Sequence, residues 1–322
     1  MAEEKNFVVG VDVGGQTSKI GVVDARGEVL SQTVIRSDIY GADADAFITA
    51  LAEAIKSTIV KSGKEGQIRG VGIGAPNGNY YTGEIAFAPN LAWAATQAVK
   101  CAEMLSAKLD GIPVSLTNDA NAAAVGEMTY GAARGLKNFI MITLGTGVGS
   151  GIVINGQVVY GHDGFAGELG HTNVVRNNGR TCGCGKTGCL EAYCSAIGVA
   201  RTAREWIELT DEPSLLRDID NITSKDVYDA AKEGDALAIK VFDYTGTLLG
   251  RSFADFIAFS APEAIVLFGG LARSREFLYE PILKAMNDNV LQIWKNKVKI
   301  VFSQLKESDA AILGASALAW EL

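Results

Sequence analysis

Residues 10–24 read GVDVGGQTSKIGVVD, and residues 141–155 read MITLGTGVGSGIVIN. Shifted by 131 positions, Gly14 falls on Gly145 and Asp24 on Asn155, and Gly27 meets Gly156 after a two-residue deletion. Each copy joins two runs of strand-forming residues through a glycine-rich turn, which is the pattern of a β-hairpin. A hairpin repeated at this distance predicts a duplicated α/β domain, with the two glycine turns facing each other across a cleft.

The flanking sequence extends the same scheme. Strands are expected at 7–13, 18–24 and 28–35, then a helix at 43–62 and a strand at 68–74. An irregular Gly, Asn and Pro-rich segment (75–94) precedes a helix at 95–109, a strand at 113–117 and a helix opening at Asn118–Asp119. The second half is read as strands 139–144 and 149–155, a cysteine loop, long helices over 195–258, strand 263–268, a helix, strand 298–302 and a final helix at 309–320. The expected domains are 1–117 and 118–308, with a terminal helix at about 309–322 packing back on the first.

Of the 322 residues, 48% are hydrophobic and 20% charged, enough apolar material for a large core. A net charge of -8 disfavours electrostatic capture of nucleic acid. Neither a signal peptide nor an apolar run of about 20 residues is readable, so a cytoplasmic protein without membrane association is expected. In that reducing setting a close cysteine cluster reads better as a metal site than as disulfides. Three of the five cysteines, Cys182, Cys184 and Cys189, follow His171 within GHTNVVRNNGRTCGCGKTGCLEAY (170–193). They make a full Cys₃His set for structural Zn²⁺ in a loop spanning 171–189.

Glycine turns between strands present backbone N–H groups to a phosphate. The first carries Gly14, Gly15, Gln16, Thr17 and Lys19 behind Asp12, a carboxylate suited to Mg²⁺; the second carries Gly145, Thr146 and Gly147. A further pair, Gly269 and Gly270, ends an apolar strand ahead of a helix, where a nucleotide can rest. Asn118 and Asp119 read as a helix cap, and Asp119 also as a carboxylate able to take a proton from a hydroxyl. Glu168 and His171, three apart, project from one side of a helical turn, and Glu191 follows the last cysteine; together they suit the hydroxyls of a polyol.

The run ITLGTGVGSGIVINGQVVYGHDGFAGELGH (142–171) together with CGCGKTGCLE (182–191) resembles the ROK family of repressors, open-reading-frame proteins and sugar kinases. That family lies within the actin, hexokinase and heat-shock ATPase superfamily. The resemblance runs from DVGG at 12 to LGASALA at 313–319. It implies two actin-like (ribonuclease H-like) domains with mixed sheets flanked by helices and a cleft between them. It further implies Asp119 as the base that deprotonates the 6-hydroxyl of a hexose. Asn118, Glu168, His171 and Glu191 would hold the sugar, the loops 12–19 and 145–149 the phosphates of ATP, and Gly269 and Gly270 would lie near adenosine. His171 would bind zinc through one ring nitrogen and a sugar hydroxyl through the other. Gln16 departs from the family pattern, where threonine often follows the two glycines.

The activity so implied is MgATP-dependent conversion of glucose to glucose 6-phosphate in glycolysis, by a homodimer or homotetramer. The alternatives are the same chemistry on N-acetylmannosamine, N-acetylglucosamine or fructose, or a sugar-sensing regulator without a catalytic role. Six residues precede the first expected strand, so no helix-turn-helix arm is expected before it.

Overall fold

The computed structural model describes residues 5–322. The chain forms two compact units: Met1–Gly135 with Val158–Ala166 and Gln304–Leu322, and Leu136–Gln157 with Gly167–Ser303.

In the first unit, β1 (Phe7–Val13), β2 (Thr17–Asp24) and β3 (Val29–Arg36) form an antiparallel meander. Helix α1 (Ala44–Ser62), capped by the Asp43 carboxylate on the Ala46 N–H, leads to β4 (Ile68–Gly74), parallel to β1. A two-residue ladder of β5 (Ile85–Ala86) and β6 (Ala98–Val99) precedes α2 (Cys101–Lys108). Then β7 (Val114–Thr117) pairs parallel to β4 and feeds α3 (Asp119–Thr129), giving the sheet order β3-β2-β1-β4-β7. The second unit opens with β8 (Phe139–Leu144), β9 (Val148–Ile154) and β10 (Gln157–Val158). After a long loop come α4 (Glu191–Cys194), α5 (Ala196–Leu209), α6 (Ser224–Lys232) and α7 (Ala236–Ser260). The chain continues through β11 (Ala264–Phe268), α8 (Arg275–Asn289) and β12 (Lys299–Phe302), and the sheet order is β10-β9-β8-β11-β12. Helix α9 (Glu307–Leu318) belongs to the first unit.

The two sheets have the same order and the same sense at each step, an antiparallel hairpin continued by parallel strands. The sequence repeat is therefore a structural one, and Thr17, which opens β2, corresponds to Val148, which opens β9. Apolar periodicity buries Phe47, Leu51 and Ile55 of α1 under the first sheet, where Phe47 stacks on Trp93 at 4.5 Å between centroids. In the second unit α7 is the central core helix, and Phe242 stacks on Phe277 at 5.5 Å.

Two expectations are corrected. The helix read at 95–109 begins only at Cys101, because Ala98–Val99 pairs with Ile85–Ala86 and Phe87 N–H donates to the Gln97 carbonyl. The division between units falls after Gly135 and not after Thr117. Helix α3 packs on α9 so closely that a Cβ on Gly126 would lie 2.6 Å from Gly314 Cα, and Asn118 and Asp119 therefore stand in the first unit.

Helix α9 also presses against the sheet. A Cβ on Gly72 would stand 1.9 Å from the Ala315 carbonyl oxygen, and one on Gly10 would stand 2.1 Å from that of Ile312. Backbone cannot yield there as a side chain can. Gly72→Ala is therefore expected to cost about 3 kcal/mol and to lower Tm by roughly 6–12 °C in thermal denaturation. The exposed Gly63→Ala, at a left-handed helix end with open space around it, should cost about 1 kcal/mol.

Candidate active site

The predicted residues gather in two groups, one on each unit. In the first, three strand ends lie side by side: Asp12 of β1 is paired with Gly74 of β4, and Gly74 with Thr117 of β7. Asp119 opens α3 directly after Thr117 and Asn118, and a Cβ on Gly74 would be 3.7 Å from the Asp119 Cα. The tighter neighbour of Gly74 is Ala122, whose Cβ would lie 3.1 Å from a Cβ at position 74, so glycine there eases the packing of α3 on β4. The β1–β2 turn closes with Gly14 N–H donating to the Thr17 carbonyl at 3.1 Å, and Lys19 faces Asp12 in the ladder. Asn118 caps α3, its Oδ1 accepting from the Asn121 N–H at 2.7 Å.

Burial pushes the Asp12 carboxyl up to about 6, helped by the Asp119 charge and opposed by Lys19. Asp119 is exposed at the start of α3, and the protein atoms around it still raise its carboxyl above the ordinary value, against a hydrogen bond from Ala120 N–H at 2.8 Å. Two carboxylates of like charge, Asp12 half-buried and Asp119 exposed, make this end of the sheet attractive to cations and to exchangeable protons.

In the second group, the β8–β9 turn closes with Gly145 N–H on the Gly147 carbonyl at 3.0 Å. A Cβ on Gly147 would stand 2.4 Å from Glu191 Oε2, so a side chain there would displace this carboxylate from its place, where it accepts from the Val148 N–H at 3.0 Å. Glu191 Oε1 lies 3.4 Å from the Cys182 thiol. One side chain thereby joins the turn to the cysteine loop. Gly269, with φ +104°, packs against the Leu144 carbonyl just before the turn, bringing Gly269 and Gly270 to the same edge as Gly145.

A short 3₁₀ turn at Leu169–His171 sets Glu168 and His171 on one side, with Glu168 Oε2 3.9 Å from His171 Nε2. The other ring nitrogen, Nδ1, lies 3.8 Å from Cys182 Sγ. Donor atoms of His171, Cys182, Cys184 and Cys189 all fall within 4.8 Å of one another. The Cys184 and Cys189 sulfurs are 3.7 Å apart, close to the roughly 3.8 Å that two 2.3 Å Zn–S bonds subtend at a tetrahedral centre. Arg180 anchors this loop: it pairs with Glu205, donates to Thr202 Oγ1 at 2.9 Å and stacks on Tyr193 at 4.5 Å.

A family model described as the ROK family matches residues 8–321. The chain belongs to the ROK family. It is 40% identical to a glucokinase of Halalkalibacterium halodurans, over 86% of this chain and 84% of that one. A glucokinase of Thermotoga maritima is 35% identical over 97% of this chain and 96% of its own length. The crystal structure of a ROK family glucokinase from Streptomyces griseus in complex with glucose and AMPPNP superposes with a TM-score of 0.78 at 32% identity, covering 98% of this chain and 100% of that one. The two-domain α/β fold is thus that of ROK kinases.

Two features of this ROK chain escaped sequence reading. The Asn90 carbonyl sits where a Cβ on Gly15 would be 2.8 Å away, so the irregular segment flanks the first turn. The start of α5 lies at the second turn, where Ala196 N–H donates to the Gly145 carbonyl at 2.8 Å, and its positive dipole end favours anions there. The Ser195 N-cap was the available signal.

Asp12 gives a test with a definite sign. Its folded pKa of about 6 exceeds the unfolded value of about 3.9, so the group opposes folding above pH 6 and is neutral to it below pH 4. Allowing for its partial exposure, Asp12→Asn should stabilise the protein by about 1–2 kcal/mol at pH 7.5, roughly 2–6 °C in Tm, and not at all at pH 4. Paired thermal melts at the two pH values measure this, alongside a loss of activity at pH 7.5.

Proposed function

We propose that this chain phosphorylates the 6-hydroxyl of glucose from MgATP, with Asp119 as general base. The observation that carries this reading is the placing of Asp12 and Asp119 at neighbouring strand ends beside a glycine turn, in a chain 35–40% identical to glucokinases. A carboxylate whose pKa is raised holds a proton better than a free one, which suits Asp119 to take the hydroxyl proton as the oxygen attacks the γ-phosphorus. The P–O bond to ADP then breaks, and the proton stays on Asp119. Turn N–H groups at 14–17 and 145–147 would receive the charge on the phosphate oxygens, and Asp12 would face the Mg²⁺ carried by ATP. Gly269 and Gly270 would border the nucleoside.

Glu168, His171 and Glu191, with Asn118, would accept and donate hydrogen bonds to the sugar hydroxyls. The Cys₃His donor set has the composition and spacing for one structural Zn²⁺, held through His171 Nδ1, which leaves Nε2 for a hydroxyl. Bound there, the metal would fix the ring tautomer and direction. A homodimer or homotetramer working in the cytoplasm, in glycolysis, completes this reading.

A coupled assay with MgATP over glucose, mannose, fructose, N-acetylglucosamine and N-acetylmannosamine should give the highest kcat/KM for glucose. A tenfold preference for another sugar would reject glucose while keeping the kinase. Asp119→Asn, which preserves size but takes no proton, should lower kcat by about 10²–10⁴ with little change in glucose affinity. Elemental analysis should find about one zinc per chain. Cys184→Ser should lower zinc content and raise KM for glucose more than for ATP.

A further inference from the structure

Helix α7 lies wholly in the second unit and is the longest helix among the described residues. Its inner face fills the core, and its outer face carries an ordered row of charges. Asp243, Thr247, Arg251 and Asp255 follow one another at intervals of four and so form one ridge, with Lys240 beside its first member. The four charged residues are exposed, and Thr247 is half-buried. Lys240 is bonded to Glu212 at 2.7 Å, whereas Asp243, Arg251 and Asp255 make no ion pair or side-chain hydrogen bond among the described residues. Asp243 acts on Lys284 of α8 only through space, since that ammonium is bonded to Asp288 at 2.8 Å. Elsewhere Arg201 with Glu205, Lys225 with Asp229 and Lys284 with Asp288 pair across one helical turn. Arg251 and Asp255 have that same spacing and do not pair. Beside the ridge, between α5 and α7, lies a groove of about 370 Å³ floored by Trp206, Tyr244 and Leu248.

From Lys240 to Asp255 the signs run plus, minus, neutral, plus, minus. Turned end for end about Thr247, the row sets Asp243 against Arg251 and Arg251 against Asp243, and brings Asp255 beside Lys240. Every charge then meets its opposite. A partner slid by one turn would instead oppose Asp243 to Asp255 and lose both arginine pairs. On one helix Asp243 and Arg251 are separated by about 12 Å, at 1.5 Å per residue, so they pair only between two antiparallel copies. The chain carries a net charge of -8, so two copies repel over most of their surface, and a face of alternating sign is where they can approach.

We propose that the outer face of α7 is an interface between two copies of this chain, packed antiparallel about a two-fold axis at Thr247. A two-fold contact requires a face complementary to itself, which this row of charges is. Thr247, small and at the centre, lets the two helices come close. The same rotation keeps the two grooves on one side of the helix pair, where the apolar floors of Trp206, Tyr244 and Leu248 cover each other. This contact serves the homodimer proposed above and is independent of the kinase reading.

Sedimentation velocity of the full chain over a concentration series measures the association, with circular dichroism to follow the fold. Arg251→Glu turns both cross-pairs into like charges and should weaken dimerisation by about tenfold or more, and Asp243→Arg should do the same. The exchange Asp243→Arg with Arg251→Asp rebuilds both pairs and should return the association to within about threefold of the parent. Such a rescue is a readout that a folding defect does not give. A parent dimer that survives both single variants overturns the proposal and leaves the homodimer to another face. So does an exchanged variant that stays monomeric with the circular dichroism of the parent. A monomeric parent overturns both the homodimer and this interface. A tetrameric parent that falls to dimers with each single variant and reassembles with the exchange supports the interface as a dimer would. Phosphorylation of glucose is decided separately by the coupled assay, so failure of either reading is told from failure of the other.

Discussion

How near a helix can lie to a sheet is set by the side chains between them, and in the first unit these have been reduced to nothing. Gly10 on β1 and Gly72 on β4 face the backbone of α9, and the next layer repeats the device where Gly126 of α3 meets Gly314 of α9. The candidate chemistry depends on this. With α9 seated this low, α3 can pack on it and still begin at the end of β7, so that Asp119 stands beside the strand end carrying Asp12. The second unit uses the same economy between α7 and α8, where a Cβ on Gly250 would stand 2.4 Å from the Ile282 carbonyl oxygen. Dense layers of this kind transmit small shifts and do not absorb them.

Two sheets of the same order carry different chemistry, and the difference lies in how the chain continues beyond the third strand of each. After β3 the first unit proceeds within eight residues to α1. After β10 the chain runs through residues 158–166, which belong to the first unit, and then through the cysteine loop before the helices of the second unit begin at Glu191. That insertion holds Glu168, His171 and all three clustered cysteines. The duplicated frame supplies two turns suited to phosphate, and the insertion supplies the polar side chains suited to a sugar. An insertion this long and this poor in regular structure needs its own anchors, which Arg180, Glu191 and the Cys₃His set provide.

The hairpins and the strand order around them were legible because glycine turns and period-two apolar runs are local signals. So was the cysteine cluster, whose spacing is written in the short run from Cys182 through Cys184 to Cys189. Contacts made by backbone across long separations were not. Nothing in the sequence near Gln97 announces that its carbonyl will accept from Phe87 and so delay α2. Nothing near Asn118 says that α3 will bind α9, almost two hundred residues on, and carry the division between units past it. The Glu191 to Val148 bond is likewise tertiary, joining residues whose local patterns are complete without each other.

The setting of Asp119 shows how a fold can give one carboxylate two opposed properties. At the first position of α3 it lies where the helix dipole favours an anion, and the Ala120 N–H donates to it directly. These effects alone would make it a weak base, reluctant to take a proton. Crowding by protein atoms works the other way and prevails, so its pKa is raised overall. The neighbouring Asp12 carries the same sign of charge, and the cation set against the pair from within the sheet is Lys19, which acts on Asp12. A carboxylate held ionised by a helix end and made more basic by the protein atoms around it is matched to accepting a proton from a hydroxyl whose oxygen is gaining a bond to phosphorus. An aspartate at a helix N-terminus with no protein atoms crowding it would have the charge without the basicity, and one buried away from any N–H donor would have the basicity without the charge. The start of α3, directly after the end of β7, provides both conditions at once.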